Sequence, residues 1–103
     1  MGGGNKIKSA TKVYEDYTQG KTTHTFTAQK GKAYVITICE LHGTSEVTAI
    51  FTGCEVLCNN KLFFNTNNYP TTLSAVVVAT GASVTIKISG GIDYQWTMIH
   101  ELN

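Results

Sequence analysis

The feature of the sequence that most constrains its fold is the alternation of apolar and polar residues over short segments divided by turn residues. Side chains in a strand point to opposite faces with a period of two, so each such segment predicts a strand with one face on a core. The last segment is the clearest, because one set of alternate positions consists of Tyr94, Trp96, Met98, His100 and Leu102. We expect this set to face the core, with Trp96 buried and His100 acting as a core histidine. The opposite face would then hold Gln95, Thr97 and Glu101.

The same alternation predicts about nine short strands along the chain, spaced by roughly 8 to 12 residues and separated by turn signals. The predicted strands cover residues 6–14, 22–28, 33–41, 46–52, 54–58, 61–64, 72–79, 83–89 and 94–102. No segment keeps a helical period over the roughly 12 residues that a stable helix needs. The sequence therefore predicts an all-β fold, namely an antiparallel β-sandwich of about eight or nine short strands with a jelly-roll-like arrangement.

Local patterns add detail to the predicted strands. Residues 33–41 carry apolar side chains on both faces, which favours a central strand covered on both sides. Gly53 is expected to break or bulge the strand that precedes it. Asn59 and Asn60 are expected to form a type I′ hairpin turn. Lysines along one face of the first strand, such as Lys12, are typical of an edge strand protected against pairing with another chain.

The chain length predicts a single domain preceded by a short arm. The 103 residues suffice for one domain, which would bury roughly 60 to 70% of the surface that the unfolded chain exposes. Residues 6–103 would form this domain, since no linker divides them. Residues 1–5 would form a flexible, glycine-rich arm, which after Met1 consists of Gly2, Gly3, Gly4 and Asn5.

The charge composition argues against nucleic-acid and membrane partners. The formal net charge is +1, and the 8 basic residues are all lysines. Arginine makes the bidentate contacts to phosphates and guanine edges for which lysine offers only a point charge, so we expect no nucleic-acid partner. No apolar run approaches the roughly 20 residues of a membrane span, and no apolar segment follows the first lysines as in a signal peptide. We therefore expect synthesis in the cytoplasm without a signal peptide, and no membrane partner.

The cysteines predict a fold that does not depend on a disulfide. On one strand, Cys54 and Cys58 would lie about 13 Å apart at roughly 3.3 Å per residue, beyond the reach of about 7 Å between the α-carbons of a disulfide. Cys39 could approach either of them across strands, but the odd count of 3 leaves one thiol free. We expect all of them to be buried free thiols that pack as small apolar side chains.

No pattern in the sequence assembles a catalytic or metal site. His24, His42 and His100 are far apart and show no ligand spacing. The few acidic residues are expected on the solvated surface. Motifs for a nucleophilic serine or a phosphate-binding loop are missing. We therefore expect a protein that is not an enzyme and needs no cofactor, and the weaker alternative is a small jelly-roll enzyme with His24 or His100 as a metal ligand.

Aromatic residues beside a polar loop are the remaining candidates for function. The segment 65–72 combines asparagines with a tyrosine and the only proline of the chain. An exposed aromatic ring among short hydrogen-bonding side chains can contact sugars or protein surfaces. Tyr69 precedes the proline and is therefore expected to be extended and exposed. The predicted contact residues are Phe63, Asn67, Asn68 and Tyr69.

The chain also has a recognisable layout. A glycine-rich arm at residues 2–4 is followed by Thr/Asn-rich loops, and a strand ends the chain. Turns lead directly into strands, as in Gln29-Lys30-Gly31-Lys32-Ala33-Tyr34-Val35-Ile36. This layout resembles small β-sandwich proteins of bacteriophage virions, which include decoration proteins, baseplate accessory proteins and the head domains of tail fibres.

The resemblance implies a non-enzymatic structural or adhesion component of a phage particle, with a decoration, tail or receptor-binding role that depends on oligomeric packing. The implied partners are copies of the same chain, which we expect to form a trimer, and other virion proteins. The arm of residues 2–5 would become ordered on assembly, and the protein would be located in the virion. The alternative is a carbohydrate-binding module that contacts a host-surface glycan through the aromatic residues near the polar loop.

Overall fold

The computed structural model of the protein describes residues 7–18, 20–41, 48–62, 71–89 and 95–103. These residues form eight β-strands and no helix. The strands are β1 (Ala10–Tyr17), β2 (Thr23–Thr27), β3 (Ala33–Leu41), β4 (Thr48–Thr52), β5 (Cys54–Leu62), β6 (Thr71–Ala79), β7 (Ser83–Ser89) and β8 (Trp96–Leu102). Within these ranges the chain has no helix long and apolar enough to cross a membrane.

The strands form two antiparallel sheets that pack face to face. One sheet has five strands in the order β1-β8-β3-β6-β5, and the other has three in the order β2-β7-β4. Consecutive strands from β1 to β4 alternate between the sheets, and so do β6, β7 and β8. The result is a jelly-roll-like sandwich in which β5 extends the larger sheet. The predicted all-β, antiparallel β-sandwich class is confirmed.

The core lies between the inner faces of the two sheets, where alternate residues of each strand are buried. In β2, for example, His24 and Phe26 are buried while the three alternating threonines are exposed. The buried apolar residues are Phe26, Ala28, Tyr34, Ile36, Ile38, Leu73, Ala75, Val77, Ala79, Val84, Ile86, Ile88 and Ile99.

The prediction for the last strand was wrong about which face packs on the core. In this part of the chain the fully buried residues are Gln95, Thr97 and Ile99. Ile99 lies opposite the buried Ile36 of β3, so this set of alternate residues occupies the inner face of the sheet. Gln95 Oε1 and Thr97 Oγ1 approach Nε2 of the buried His24, whereas Gln95 Nε2 is buried with no hydrogen-bond partner in the described part of the chain. Sequence periodicity selects the more apolar set and cannot show such a network.

The opposite set of β8 residues lies on the outer face of the larger sheet. Trp96 is 37% exposed and His100 is half-buried, so neither is the core residue that the pattern predicts. Glu101 was placed on the wrong face as well. It is half-buried on the inner side, where its Oε2 accepts a hydrogen bond of 2.8 Å from the hydroxyl of Tyr34. Tyr94 lies outside the described residues.

β5 is one continuous strand where two were predicted. Asn59 and Asn60 lie within it and pair with β6, so they do not form the predicted hairpin turn. The full length of β6 is available to pair with β5, and that ladder outweighs the turn preference of two asparagines. Gly53 separates β4 from β5 with a φ of 81°, which confirms the break predicted at this position.

β1 begins later in the chain than predicted, at Ala10, and continues to Tyr17. It is an edge strand of the larger sheet, as the lysines of the first strand indicate. Its register with β8 shifts between Lys12 and Tyr14, and the intervening Val13 is 40% exposed. This irregularity changes which residues of β1 face outward, so the face assignments made for the first strand do not extend to Tyr17.

Candidate functional site

The contact residues predicted from the sequence lie outside the described residues. This holds for Phe63, Asn67, Asn68 and Tyr69, and also for the arm residues Gly2, Gly3, Gly4 and Asn5. Their proposed roles therefore stay predictions. The described residues contain two other candidate sites, which are a cleft between β1 and β8 and the outer face of the larger sheet.

The cleft lies where the end of β1 meets the start of β8. It has a volume of about 540 Å³ and is lined by Glu15, Asp16, Tyr17 and Trp96. Tyr17 and Trp96 are direct partners in the antiparallel ladder, which brings their side chains to the same outer surface. Both rings are exposed, Tyr17 at 57% and Trp96 at 37%. We call this feature the β1–β8 cleft.

The two aromatic rings of the cleft hold a defined geometry. Their centroids are 5.9 Å apart and their planes meet at 83°, an edge-to-face arrangement. The indole N–H of Trp96 donates a hydrogen bond of 2.8 Å to Oε2 of Glu15. Because that bond fixes the ring at its polar end and Tyr17 supports it on the side, the indole is oriented although it is partly exposed to solvent.

The carboxylates of the cleft are each paired with a lysine. Lys12 lies 2.6 Å from Oε1 of Glu15, and Lys21 lies 2.6 Å from Oδ2 of Asp16. The hydrogen bond from Lys12, followed by that from Trp96, lowers the pKa of Glu15. The hydrogen bonds from Lys21 and Thr18 lower the pKa of Asp16. Both carboxylates are therefore ionised near neutral pH, and the two acids and two lysines together carry no net charge.

A buried polar cluster lies directly beneath the cleft, between the two sheets. His24 is 1% exposed, its Nδ1 lies 2.8 Å from the hydroxyl of Tyr14, and its Nε2 lies 2.8 Å from Oε1 of Gln95. The Gln95 oxygen can only accept, so Nε2 carries the hydrogen and Nδ1 accepts from Tyr14. Burial lowers the pKa of His24, against the opposing effects of Gln95 and of Asp16, whose Oδ2 is 3.8 Å from Nδ1. The histidine is therefore neutral at pH 7.

This geometry bears on the metal-ligand alternative. Both ring nitrogens of His24 are engaged by neutral hydrogen-bonding side chains, and His100 lies on the other face of the larger sheet. In the part of the chain that the structure describes, no group of three or more histidine, cysteine, aspartate or glutamate side chains is placed to hold a metal ion. The structure does not bring His24 and His100 together.

The outer face of the larger sheet carries a cluster of apolar side chains. The sequence predicts that β3 is covered on both sides, but only its inner face packs on the smaller sheet, and no described strand packs on its outer face. The ladders place Val35 opposite Val76, and Ala33 opposite both Val78 and Leu102. We define the outer patch as the half-buried apolar residues Val35, Val76, Val78, Met98 and Leu102.

None of the three cysteines forms a disulfide, but not all of them are buried as predicted. Cys39 and Cys54 are half-buried, and Cys58 is exposed. Burial raises the pKa of Cys54, which packs against the core. Cys58 would share that inner face in a regular strand, but the register shift between Val56 and Cys58 turns it to the outer face opposite Val76.

Sequence reasoning missed the β1–β8 cleft. The sequence predicts that the first strand ends at residue 14 and that Trp96 lies in the core, so it does not predict that Tyr17 and Trp96 are neighbours. The available signal was the run Glu15-Asp16-Tyr17, in which two acids precede an aromatic residue immediately before a turn. Only the pairing of β1 with β8 shows that Trp96 completes the group.

Comparisons with protein-family models, with curated proteins and with solved structures find no match to this chain.

Proposed function

We propose that the protein is a non-enzymatic structural or adhesion protein that works as an oligomer and packs through the outer face of its larger sheet. The observation that carries the proposal is the outer patch, an apolar cluster on a sheet face over which no described strand lies. The resemblance of the sequence to small virion proteins makes a bacteriophage particle the proposed location, with a decoration, tail or receptor-binding role.

The two outer faces of the sandwich differ in a way that supports this proposal. The outer face of the smaller sheet is polar and consists mainly of Thr23, Thr25, Thr27, Thr48, Thr52, Thr85 and Lys87. A face of this kind is typical of a sheet surface in water. The outer patch on the larger sheet has no such composition, and apolar clusters on one side of a protein commonly mark an interaction surface.

The occupant that we propose for the outer patch is a second copy of the same chain. In a two-fold pair whose axis runs parallel to the strands and over β3, β8 of one copy lies over β6 of its partner. On the row of Ala33, Leu102 of β8 then meets Val78 of β6. On the next row Val35 meets its own copy, and His100 of β8 lies over Val76 of β6. One surface that matches itself in this way forms a closed pair.

The same two-fold rotation brings opposite charges at the two edges of the larger sheet close to one another. Lys12 lies on β1 at one edge of the larger sheet, and Glu55 lies on β5 at the opposite edge. The two-fold axis brings the β1 edge of one copy over the β5 edge of the other, so the lysine and the glutamate approach one another within about one row. Complementary charges at the rim favour the correct register of an interface.

The part of the face away from the β1–β8 cleft is large enough for a weak interface only. Five strands about 4.8 Å apart, with about five residues at roughly 3.3 Å each, give a face of about 400 Å² per copy. Two such faces bury about 800 Å², below the roughly 1,000 Å² expected of a stable specific contact and in the range of a weak one. An interface of this area gives weak association of two copies, which contacts with neighbouring molecules in an assembly would strengthen.

The state of the cleft carboxylates argues against either of them acting as a general acid. Glu15 and Asp16 are held by lysines that lower the pKa of each carboxyl group. A group that stays ionised far above its pKa is a poor proton donor near neutral pH. The alternative of a carbohydrate-binding module that uses Phe63 and Tyr69 stays a prediction, because both residues lie outside the described part of the chain.

The proposal is tested by the mass of the protein in solution, measured by light scattering after gel filtration. We expect about twice the chain mass of 11.2 kDa. Val35→Lys places a charge in the outer patch and should give the monomer mass. Ile50→Lys is the matched control, since it changes a β-branched residue on the outer face of the smaller sheet and should leave the pair intact. A trimer would support the sequence-based expectation and contradict the two-fold pair, and a monomer at all concentrations would contradict packing through this face.

A further inference from the structure

We infer that the β1–β8 cleft binds a neutral saccharide, with Tyr17 and Trp96 as the stacking surface and Glu15 and Asp16 as hydrogen-bond acceptors. This site uses one chain only and lies at one end of the larger sheet, so it does not depend on the proposed oligomer. It differs in position from the polar loop that the sequence indicates, and the inference goes beyond a packing role to a defined class of ligand.

The aromatic pair supplies the apolar part of such a site. One face of a pyranose ring presents C–H groups, which pack on an aromatic ring much as another apolar surface does. The Trp96 ring is oriented before any ligand arrives, because its N–H is bonded to Glu15 and its neighbour Tyr17 is in edge-to-face contact. An oriented ring loses little rotational freedom when the ligand binds, which favours affinity.

The carboxylates supply the polar part. Glu15 accepts one bond from Trp96 and one from Lys12, and Asp16 accepts one from Thr18 and one from Lys21. An ionised carboxylate has about four acceptor positions, so each retains capacity for a hydroxyl donor. Bonds from hydroxyls to an ionised carboxylate are stronger than those between neutral groups. The adjacent lysines can donate to hydroxyl or ring oxygens, so the cleft matches a ligand that both donates and accepts.

The charge balance of the cleft favours a neutral ligand over a cation. Two aromatic rings with nearby acids would also suit a quaternary ammonium group. Here, however, Lys12 and Lys21 already neutralise Glu15 and Asp16 at 2.6 Å each. A cationic ligand would have to displace a lysine or accept an uncompensated neighbouring charge. A polyhydroxyl ligand can share the existing bonds without breaking either ion pair.

The volume of the cleft fits a small ligand or the end of a longer chain. At about 540 Å³ it lies within the range of roughly 300 to 1,000 Å³ that is typical of small-molecule sites. β1 is the edge strand of the larger sheet and no described strand lies beyond it, so a sugar at the end of an oligosaccharide can enter from that side while the rest of the chain extends into solvent.

The test uses Trp96 itself, because it is the only tryptophan of the chain and its fluorescence reports on the cleft directly. The intact protein is first applied to a printed array of neutral and charged glycans. The neutral oligosaccharides that bind are then titrated into the protein in solution, with choline chloride as the cationic comparison. We expect saturable changes in Trp96 fluorescence with neutral saccharides and none with choline.

Variants assign the binding to the cleft. Tyr17→Ala removes one ring and should weaken saccharide binding about tenfold. Leu57→Ala is the matched control, because Leu57 is also 57% exposed but lies on β5 at the other edge of the sheet, and it should leave binding unchanged. Glu15→Gln keeps the acceptor oxygen for the indole but removes the charge, and should weaken binding about fivefold.

The outcomes separate this inference from the proposed oligomer. Val35→Lys should bind the saccharide with unchanged affinity whether or not it alters the mass in solution. The inference is overturned if no neutral glycan binds, if only choline changes the fluorescence, or if Leu57→Ala weakens binding as much as Tyr17→Ala. In each of these cases the mass measurement on the unmodified protein still decides the packing proposal independently.

Discussion

Replacing Gly53 with alanine should lower the free energy of unfolding by about 3 kcal/mol, the largest effect that we expect from a single methyl group in this chain. Gly53 has a φ of 81°, where a side chain strains the backbone. A Cβ atom built at this position would also lie 2.3 Å from the carbonyl oxygen of Ser83. That oxygen belongs to the backbone of β7, so it can move away only if the strand shifts. Meanwhile the hydrogen bond of 2.9 Å from Thr80 N to Gly53 O holds the glycine in place.

Gly31→Ala is the matched control for the Gly53 substitution. Gly31 has a similar φ of 88°, but no atom lies within 4 Å of the Cβ that alanine would add. This substitution should therefore cost only the backbone strain, about 1 kcal/mol. Denaturant unfolding followed by circular dichroism compares the two variants with the unmodified protein. Equal losses for the two glycines would show that the close approach to β7 does not determine the effect.

The second large effect that we expect is a loss of stability in mild acid that depends on His24. Burial lowers the pKa of this histidine from its ordinary 6.5, so the unfolded chain binds the proton at a higher pH than the folded one. As the pH falls through 6.5, protons bind to the unfolded state first, and the free energy of unfolding decreases by up to about 1.4 kcal/mol per pH unit. The decrease ends once the pH is low enough for the folded protein to protonate His24 as well.

The groups that face His24 explain why its neutral form is preferred. Tyr14 and Gln95 bond its two ring nitrogens and can do so without a charge on the ring. The carboxylate of Asp16, which lies 3.8 Å from the His24 ring, opposes the lowering of the histidine pKa, but the same carboxylate is paired with Lys21. Asp16 itself acts in a different range, because a lowered carboxyl pKa gives stability that is lost only as the pH falls below about its ordinary value of 3.8. The two effects are therefore separable by pH.

His24→Leu tests this assignment with two readouts. At neutral pH it should lower the free energy of unfolding by about 3 kcal/mol, because Tyr14 and Gln95 lose their buried partner. It should also abolish the decrease in stability between about pH 7 and about pH 5. His100→Leu, on the half-buried outer face, should keep the decrease. If the acid dependence persists in His24→Leu, the assignment to this histidine is wrong.

The strand content was largely predictable because it depends on local alternation. In the predicted strand 22–28, His24 and Phe26 alternate with threonines, and the structure has a strand there with both residues buried. Gly53 could be identified as a break since few other residues adopt the required backbone angle. The predicted turn at Asn59 and Asn60 was wrong because it relied on the local turn preference of asparagine. In the structure β6 is long enough to pair with both residues, so β5 continues through them.

The candidate sites were less predictable than the strands. Nothing in the segment 95–102 shows that its polar alternate residues would be buried, because the reason is a histidine far away in the sequence, on β2. Trp96 is exposed for the same reason, because burial of Gln95 and Thr97 turns the residue between them to the outer face. Its partnership with Tyr17 depends in addition on the register shift in β1, which periodicity cannot indicate.

The amino-acid sequence by itself determined that this chain forms a β-sandwich, since alternation, turn residues and the lack of a helical period act over a few neighbouring positions. Only the tertiary structure decided which face of each central strand is buried, and with it the positions of the β1–β8 cleft and the outer patch. The physical reason is that a strand in the middle of a sheet can bury either face. The choice depends on partners across the sandwich, as His24 shows by approaching the buried oxygens of Gln95 and Thr97.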